Sequence, residues 1–258
     1  MTIQCFPLGH RVDATSYDEA VGTILGWAQR GESRYVVAAP VASLMEAYDS
    51  SEFRDVLAHS DLTTPDGMPV VWALRLLGAP HASRVYGPNL TLALIAAAER
   101  ETVPFGFYGS SETAIRRIRD FVSRKHPEAR LVYAISPPFR AATPVEDARF
   151  VEQINSSGTR ILFVGTGSPR QELWMRAHRG SVRAVMVGVG AAFDYIAGLK
   201  KQAPEWMQNR GLEWLFRLAQ EPRRLLVRNL KHNPRYAVLV ALQVLGLRSF
   251  DNCPGLRT

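Results

Sequence analysis

The sequence predicts an α/β fold, a mostly parallel sheet with helices on both faces, and three observations carry that reading. Short apolar runs alternate with segments of helical periodicity from residue 16 to about residue 198. Those runs lack the strict polar alternation of half-solvated strands and read as strands covered on both faces. Beyond Gly198 the strand pattern stops and the chain becomes helical and basic. The expected architecture is a Rossmann-like sheet domain over residues 1–199, joined by right-handed crossovers, with a helical basic C-terminal appendage over residues 200–258.

Taken in order, Ser16 with Glu19 forms a capping-box pattern ahead of Ala20, Val21, Ile24, Leu25 and Ala28, which recur at helical spacing before Gly31. Strands are predicted over residues 35–39, 61–64, 104–108, 130–135, 160–164 and 184–188. Between them the pattern predicts helices over residues 41–48, 53–58, 68–77, 88–100 and 112–125. Thr143-Pro144 with Glu146 opens a further helix, and Ser168-Pro169-Arg170-Gln171 opens another with a second capping signature. In the appendage Pro204, Pro222 and Pro234 are each expected in the first turn of a fresh helix.

The chain has 258 residues, 47% hydrophobic and 21% charged, which is a globular composition and excludes collagen-like, disordered and disulfide-scaffold classes. Cys5 and Cys253 stand at opposite ends and offer neither a disulfide framework nor a metal-ligand spacing. The first 13 residues lack a signal-peptide pattern, and no apolar stretch reaches the roughly 20 residues of a spanning helix, so a cytoplasmic location without a transmembrane segment is expected. The formal charge is +7, from 31 basic and 24 acidic side chains. Residues 1–199 balance 20 against 20, whereas residues 200–235 hold 9 basic and 3 acidic. The excess is thus concentrated in the appendage, which is expected to seek an anionic surface.

In open parallel sheets ligands bind beyond the carboxyl ends of strands, where glycine turns expose backbone N–H groups to anions. Three segments fit: Phe107-Tyr108-Gly109-Ser110, Val164-Gly165-Thr166-Gly167-Ser168 and Val187-Gly188-Val189-Gly190. Together they suit a nucleotide diphosphate, although glycine is also ordinary at such turns. Neither a Walker A sequence nor a full GxGxxG is present, which weighs against NTPase and dinucleotide oxidoreductase readings. Asp66, between Pro65 and Gly67 after a strand, is the carboxylate that stands out; a turn or N-cap aspartate is the competing role. Asp194 reads on pattern alone as structural. There is no DxD motif, and the six histidines form no ligand-spaced cluster, so no metal is expected and charge on a diphosphate would fall to arginine and backbone N–H groups.

In the appendage, a helix restarting at Pro222 places Arg224, Arg228 and Lys231 on one face and Leu225, Leu226 and Leu230 around the other, with Trp214, Leu215 and Phe216 upstream. Such a surface suits anionic lipid headgroups. The 12 apolar-rich residues 236–247 are too short to cross a bilayer; they lie in an interface, pack on the body or form an oligomer contact. A nucleic-acid-binding role is disfavoured because the basic residues alternate with Leu, Val and Trp rather than lining a groove.

Several segments in order carry a specific resemblance. They are Thr64-Pro65-Asp66-Gly67-Met68-Pro69-Val70-Val71-Trp72, Arg84-Val85-Tyr86-Gly87, and Val164-Gly165-Thr166-Gly167-Ser168-Pro169-Arg170-Gln171-Glu172-Leu173-Trp174. They continue with Gly188 to Asp194, Ala197-Gly198, Ala203-Pro204-Glu205-Trp206, and Gly211-Leu212-Glu213-Trp214 through to Glu221-Pro222-Arg223-Arg224. The chain thus resembles the WecG/TagA/CpsF family of bacterial glycosyltransferases over about residues 35–230.

The resemblance implies inverting, metal-independent transfer of a sugar from a UDP-sugar, used as substrate without a cofactor, to a polyprenyl-diphosphate-linked saccharide. The implied setting is cell-surface polysaccharide synthesis, peripheral on the inner face of the bacterial cytoplasmic membrane. Asp66 corresponds to the family's catalytic aspartate. Arg84, Gly109, Gly165, Gly167, Gln171, Glu172, Gly188, Gly190 and Asp194 form the expected substrate-binding set. Arg217, Arg223, Arg224 and Arg228 correspond in kind to the family's membrane-surface and acceptor-diphosphate arginines. Ala38-Ala39-Pro40 and Asn89 depart from the family's usual polar pocket residues, which leaves N-acetylmannosamine, its uronate and glucuronic acid open as the donor sugar. A non-catalytic sugar-nucleotide-binding scaffold subunit is the alternative reading, and a homo-oligomer is compatible with both.

Overall fold

The computed structural model describes residues 3–250. The elements are β1 Ile3–Cys5, β2 Val12–Ala14, α1 Tyr17–Gln29, β3 Arg34–Ala39, α2 Val41–Asp49, α3 Ser51–Ala58, β4 Leu62–Pro65, α4 Met68–Leu76, α5 Gly87–Arg100 and β5 Phe105–Gly109. They continue with α6 Glu112–Lys125, β6 Leu131–Ile135, α7 Pro144–Ser156, β7 Ile161–Gly165, α8 Arg170–Ala177, β8 Val185–Gly188, α9 Ala192–Ile196, α10 Glu205–Asn209, α11 Glu213–Gln220 and α12 Pro222–Val244. Six parallel strands in the order β4-β3-β8-β7-β5-β6 form the main sheet, flanked by helices, which is the α/β architecture the alternation predicts. Each of the six predicted strands is present to within about a residue.

By contact the chain forms two compact units. One takes the described parts of Met1–Ser16, Ala38–Tyr86 and Gln202–Thr258; the other takes Tyr17–Val37 and Gly87–Lys201. Residues 202–258 of the appendage share their unit with residues 38–86, which carry β4 and α4.

In the second unit β5, β7 and β8 are buried along their whole length. Phe107 lies opposite Phe163, and Phe163 opposite Val187, across the parallel ladders. The Phe107 and Phe163 rings stack at 5.0 Å, and Phe193 from α9 meets Phe107 edge-on at 5.2 Å, so aromatic packing fills the sheet where it is apolar on both faces. Helix starts are chemically fixed: Ser111 caps α6 by accepting from the Ala114 N–H, and Thr143 with Glu146 completes the predicted capping box of α7. The capping signature at Ser168 is a correction. Helix α8 has Pro169 at its N-cap with no side-chain cap.

In the first unit β1 and β2 pair antiparallel, a ladder the sequence pattern did not show because each strand has three residues. Strand β2 has a definite task. Buried Asp13 accepts the Thr63 N–H of β4 at 2.8 Å, and Arg11 grips the same carboxylate through Nε at 3.0 Å and Nη2 at 2.9 Å. Arg11 also donates to the carbonyls of Ser60 and Asp61. Strand β4, which Asp66 follows, is therefore anchored by charge-assisted bonds.

The tail corrects a second expectation, because α12 runs unbroken from Pro222 to Val244 with Pro234 inside it. Pro222 does occupy the first turn. An internal proline removes a backbone bond, so tertiary contacts must carry the helix through. Before the proline Lys231 lies 3.8 Å from Asp49 of α2; after it Arg235 forms a two-pronged pair with the same carboxylate at 2.7 and 2.9 Å, and Gln243 donates to the Phe6 carbonyl and accepts from the Leu8 N–H. Tyr236, Leu239 and Val240 are buried. Of the three roles open to residues 236–247, the structure shows packing on the body. Cys5 is buried, and Cys253 lies outside the described residues.

His10 gives the first unit a measurable pH dependence. It is 3% exposed with no hydrogen-bond partner on either ring nitrogen, and burial, aided by the charge of Arg54, lowers its pKa to about 4. The folded state thus requires neutral His10 while the unfolded chain takes a proton near pH 6.5, so stability falls as pH drops. Between pH 7 and pH 5 the wild type should lose about 2 kcal/mol relative to His10→Leu in urea unfolding. A difference that stays constant with pH would contradict the assignment.

Candidate functional site

In the first unit the site is built on the turn after β4. Thr63, Thr64 and Pro65 are buried, and Gly67 serves as the N-cap of α4. The Asp66 N–H donates to the Ala39 carbonyl at 3.3 Å, and the Asp66 carbonyl accepts from Arg84 Nε at 2.7 Å. The neighbouring strand end is laced to residues 84–86: the Val85 N–H donates to the Pro65 carbonyl at 2.9 Å, and Thr64 Oγ1 donates to the Val85 carbonyl at 3.4 Å. Asp66 itself is half-buried. Its backbone is thus held from both sides at the carboxyl end of a strand.

Arg84, expected to add charge at a diphosphate, spends its donors on the protein. Besides Asp66 it reaches Gln208 Oε1 through Nη1 at 3.3 Å and forms a short ion pair through Nη2 with Glu213 Oε2. The guanidinium also lies over the Tyr86 ring, 4.2 Å from its centroid. Gln208 and Glu213 belong to α10 and to the first turn of α11, and the sequence reading assigned neither a role. The signal for Glu213 was present: it is one of three acidic residues in the basic stretch 200–235, and the structure buries it.

The appendage arginines lie in the same unit. Arg217 is in the last turn of α11 and half-buried, while Arg223 and Arg228 are exposed on α12. Arg224 is in α12, and its side chain is outside the described ones. The expected leucine face divides: Leu225 is buried, whereas Leu226 and Leu230 are exposed, along with Val227, Trp206, Trp214 and Leu215. Among the described residues no helix is long and apolar enough to cross a membrane.

In the second unit the three glycine turns fall at the ends of β5, β7 and β8 as expected, but close packing accounts for most of the glycines. A Cβ on Gly109, whose φ is +140°, would lie 2.4 Å from the Gly165 carbonyl carbon. One on Gly165 would lie 2.5 Å from the Phe193 ring, and one on Gly188 would lie 2.6 Å from Met175 Cε. Gly167 differs: its φ is +90° and a Cβ there would meet open space. Of the backbone donors, Val189 N–H, after Gly188, bonds the Val164 carbonyl, and Gly190 N–H bonds Gln171 Oε1 at 3.2 Å.

Gln171 and Glu172 are both buried at the start of α8. Gln171 Nε2 donates to Glu172 Oε1 at 2.8 Å, while Glu172 Oε2 has no hydrogen-bond partner in the protein. Burial pushes the Glu172 carboxyl above the usual carboxylate range, opposed by the Gln171 bond. The Asp194 carboxylate accepts from Ser110 at 3.3 Å and pairs with Lys200 at 3.0 Å, so it ties the β5 turn to the residues after α9. Trp174 stacks between Tyr108 at 4.7 Å and His178 at 4.3 Å, with Asp147 bonding both Trp174 Nε1 and His178 Nε2. Among the described residues no group of three or more His, Cys, Asp or Glu side chains is placed to hold a metal ion.

Asp66 in the first unit and the glycine turns in the second each lie at the carboxyl end of a strand, where ligands bind in parallel α/β sheets. The sequence profile of the Glycosyl transferase WecG/TagA/CpsF family matches residues 5–249, and the chain belongs to that family. It is a glycosyltransferase. It is also 30% identical over 216 residues, 83% of this chain and 81% of the relative, to an N-acetylglucosaminyldiphosphoundecaprenol N-acetyl-beta-D-mannosaminyltransferase of Bacillus spizizenii.

The two kinds of glycine separate experimentally. Gly109→Ala should cost about 3 kcal/mol or more in urea unfolding, because strand backbone stands where the methyl would go. Gly167→Ala should cost only about 1 kcal/mol, the strain of a positive φ. Equal costs would contradict the packing account.

Proposed function

We propose that this glycosyltransferase moves a sugar from a UDP-sugar to a polyprenyl-diphosphate-linked saccharide in cell-surface polysaccharide synthesis, working peripherally at the cytoplasmic face of the membrane. The observation that carries the mechanism is Asp66, held at a strand's carboxyl end by hydrogen bonds to both its N–H and its carbonyl. Asp66 takes the proton from an acceptor hydroxyl as that oxygen attacks the anomeric carbon. The bond from the anomeric carbon to the UDP oxygen breaks on the opposite face, UDP leaves with the bonding pair, and the configuration inverts. Charge on the departing diphosphate falls to backbone N–H groups and appendage arginines rather than to a metal, in keeping with the missing DxD motif.

For the donor, Gly165, Gly167, Gln171 and Glu172 are assigned roles within their own unit at the turn after β7. The relative's name makes N-acetylmannosamine the first donor sugar to try and an N-acetylglucosaminyl-diphospho-lipid the first acceptor. Exposed Arg223 and Arg228 beside exposed Leu226, Val227 and Leu230 support a membrane-surface role for α12.

The test is a panel of radiolabelled UDP-sugars, N-acetylmannosamine, its uronate and glucuronic acid, with a short-chain polyprenyl-diphosphate acceptor, with and without chelator. One donor should be transferred and turnover should survive chelation. Asp66→Asn should lower kcat by about 10³-fold or more while donor affinity by calorimetry stays within about threefold. An Asp66→Asn enzyme within tenfold of wild type would overturn the general-base assignment.

A further inference from the structure

The Arg84 knot ties the appendage to the base in a way that membrane binding does not require. Its three nitrogens span one turn and two helices: Nε on the Asp66 carbonyl at 2.7 Å, Nη1 on Gln208 of α10 at 3.3 Å, and Nη2 on Glu213 of α11. The side chains of Arg84 and Glu213 are 14% and 12% exposed, so the pair sits largely out of water. Gln208 is itself fixed, because its Nε2 donates to the Ala203 carbonyl at 2.7 Å. Tyr86 closes the remaining face of the guanidinium.

A guanidinium is a rigid planar fork, so its donors cannot be aimed independently. Where Glu213 and Gln208 hold the Nη atoms decides where Nε points, and Nε holds the carbonyl of the residue that carries the base. Remove Glu213 and a largely buried cation loses its anionic partner; it must turn toward another acceptor or toward water, and the Asp66 carbonyl loses its donor.

We infer that Glu213, with Gln208, is a positioning residue for the transfer reaction: through Arg84 the appendage helices set the orientation of Asp66, independently of any lipid surface. The inference rests on Asp66 being the general base. It adds a second task to the appendage, which would otherwise serve only to bring the enzyme to its lipid-linked substrate. It also changes the reading of Arg84, whose charge is neutralised by Glu213 and whose contribution is geometric.

The test uses the full-length chain and a water-soluble short-chain acceptor, so that membrane docking plays no part. Glu213→Ala should lower kcat by about 10²-fold with the donor KM within about twofold, since a displacement of about 1 Å at the reacting group costs that much. Glu213→Gln, which keeps an acceptor oxygen in place, should recover to within about tenfold of wild type. Arg84→Lys, which cannot fork, should resemble Glu213→Ala, and the Arg84→Lys/Glu213→Ala double variant should be no worse than the poorer single within about twofold. Wild-type kcat in Glu213→Ala, or effects that multiply in the double variant, would overturn the inference. If Glu213→Ala does not fold by circular dichroism, Gln208→Ala replaces it, and wild-type kcat in Gln208→Ala overturns the inference equally. An Asp66→Asn control separates the two levels. If it is active, the base assignment and this inference fall together; if it is inactive while Glu213→Ala turns over normally, only the inference falls.

Discussion

In the first unit one guanidinium ties the turn that carries Asp66 to the appendage. Arg84 joins the carbonyl of Asp66 to Gln208 and Glu213, so the turn after β4 and the first helices of the appendage share a single rigid connector. Around that connector the turn is also fixed by the Asp66 N–H on Ala39, the Val85 N–H on Pro65, and the charge-assisted bond from the β4 backbone to Asp13. The buried pair need not add net stability, since taking two charges out of water offsets much of their attraction. Its value is directional. A planar donor set with three fixed acceptors leaves the turn one arrangement.

The second unit achieves order by a different means. A side chain would meet strand backbone at Gly109, the Phe193 ring at Gly165 and the tip of Met175 at Gly188, and the phenylalanines of β5, β7 and α9 pack against one another. Polar contacts then hold the turns: Gln171 on Gly190, and Ser110 with Lys200 on Asp194. Two features stand apart from that packing. Gly167 borders open space, and Glu172 keeps a buried carboxyl oxygen without a protein partner, a costly arrangement for a group with only a structural task.

The parallel sheet was legible because its strands are apolar runs separated by helical periodicity, a signal that depends on local pattern alone. Strands β1 and β2 were not, since three residues carry no period and their ladder depends on contacts remote in sequence. Pro234 misled for a related reason: a local rule breaks the helix there, while Asp49 and Gln243, whose partners lie far away in the chain, hold it together. At the site, Asp66 could be singled out from its turn and from the family pattern. The engagement of Arg84 could not, because its acceptors at Gln208 and Glu213 are more than a hundred residues distant. The glycines were located correctly, yet the pattern could not tell a glycine required by packing from one that borders open space.

Amide hydrogen exchange tests the central constraint without relying on any substrate. If Arg84 and Glu213 hold the turn, a Glu213→Ala protein should exchange at least about fivefold faster in a peptide spanning residues 62–70, which includes the Asp66 amide bonded to Ala39, while peptides from β5 and β7 keep wild-type rates. Unchanged exchange across residues 62–70 would contradict the account, because the turn would then hold its place without the appendage.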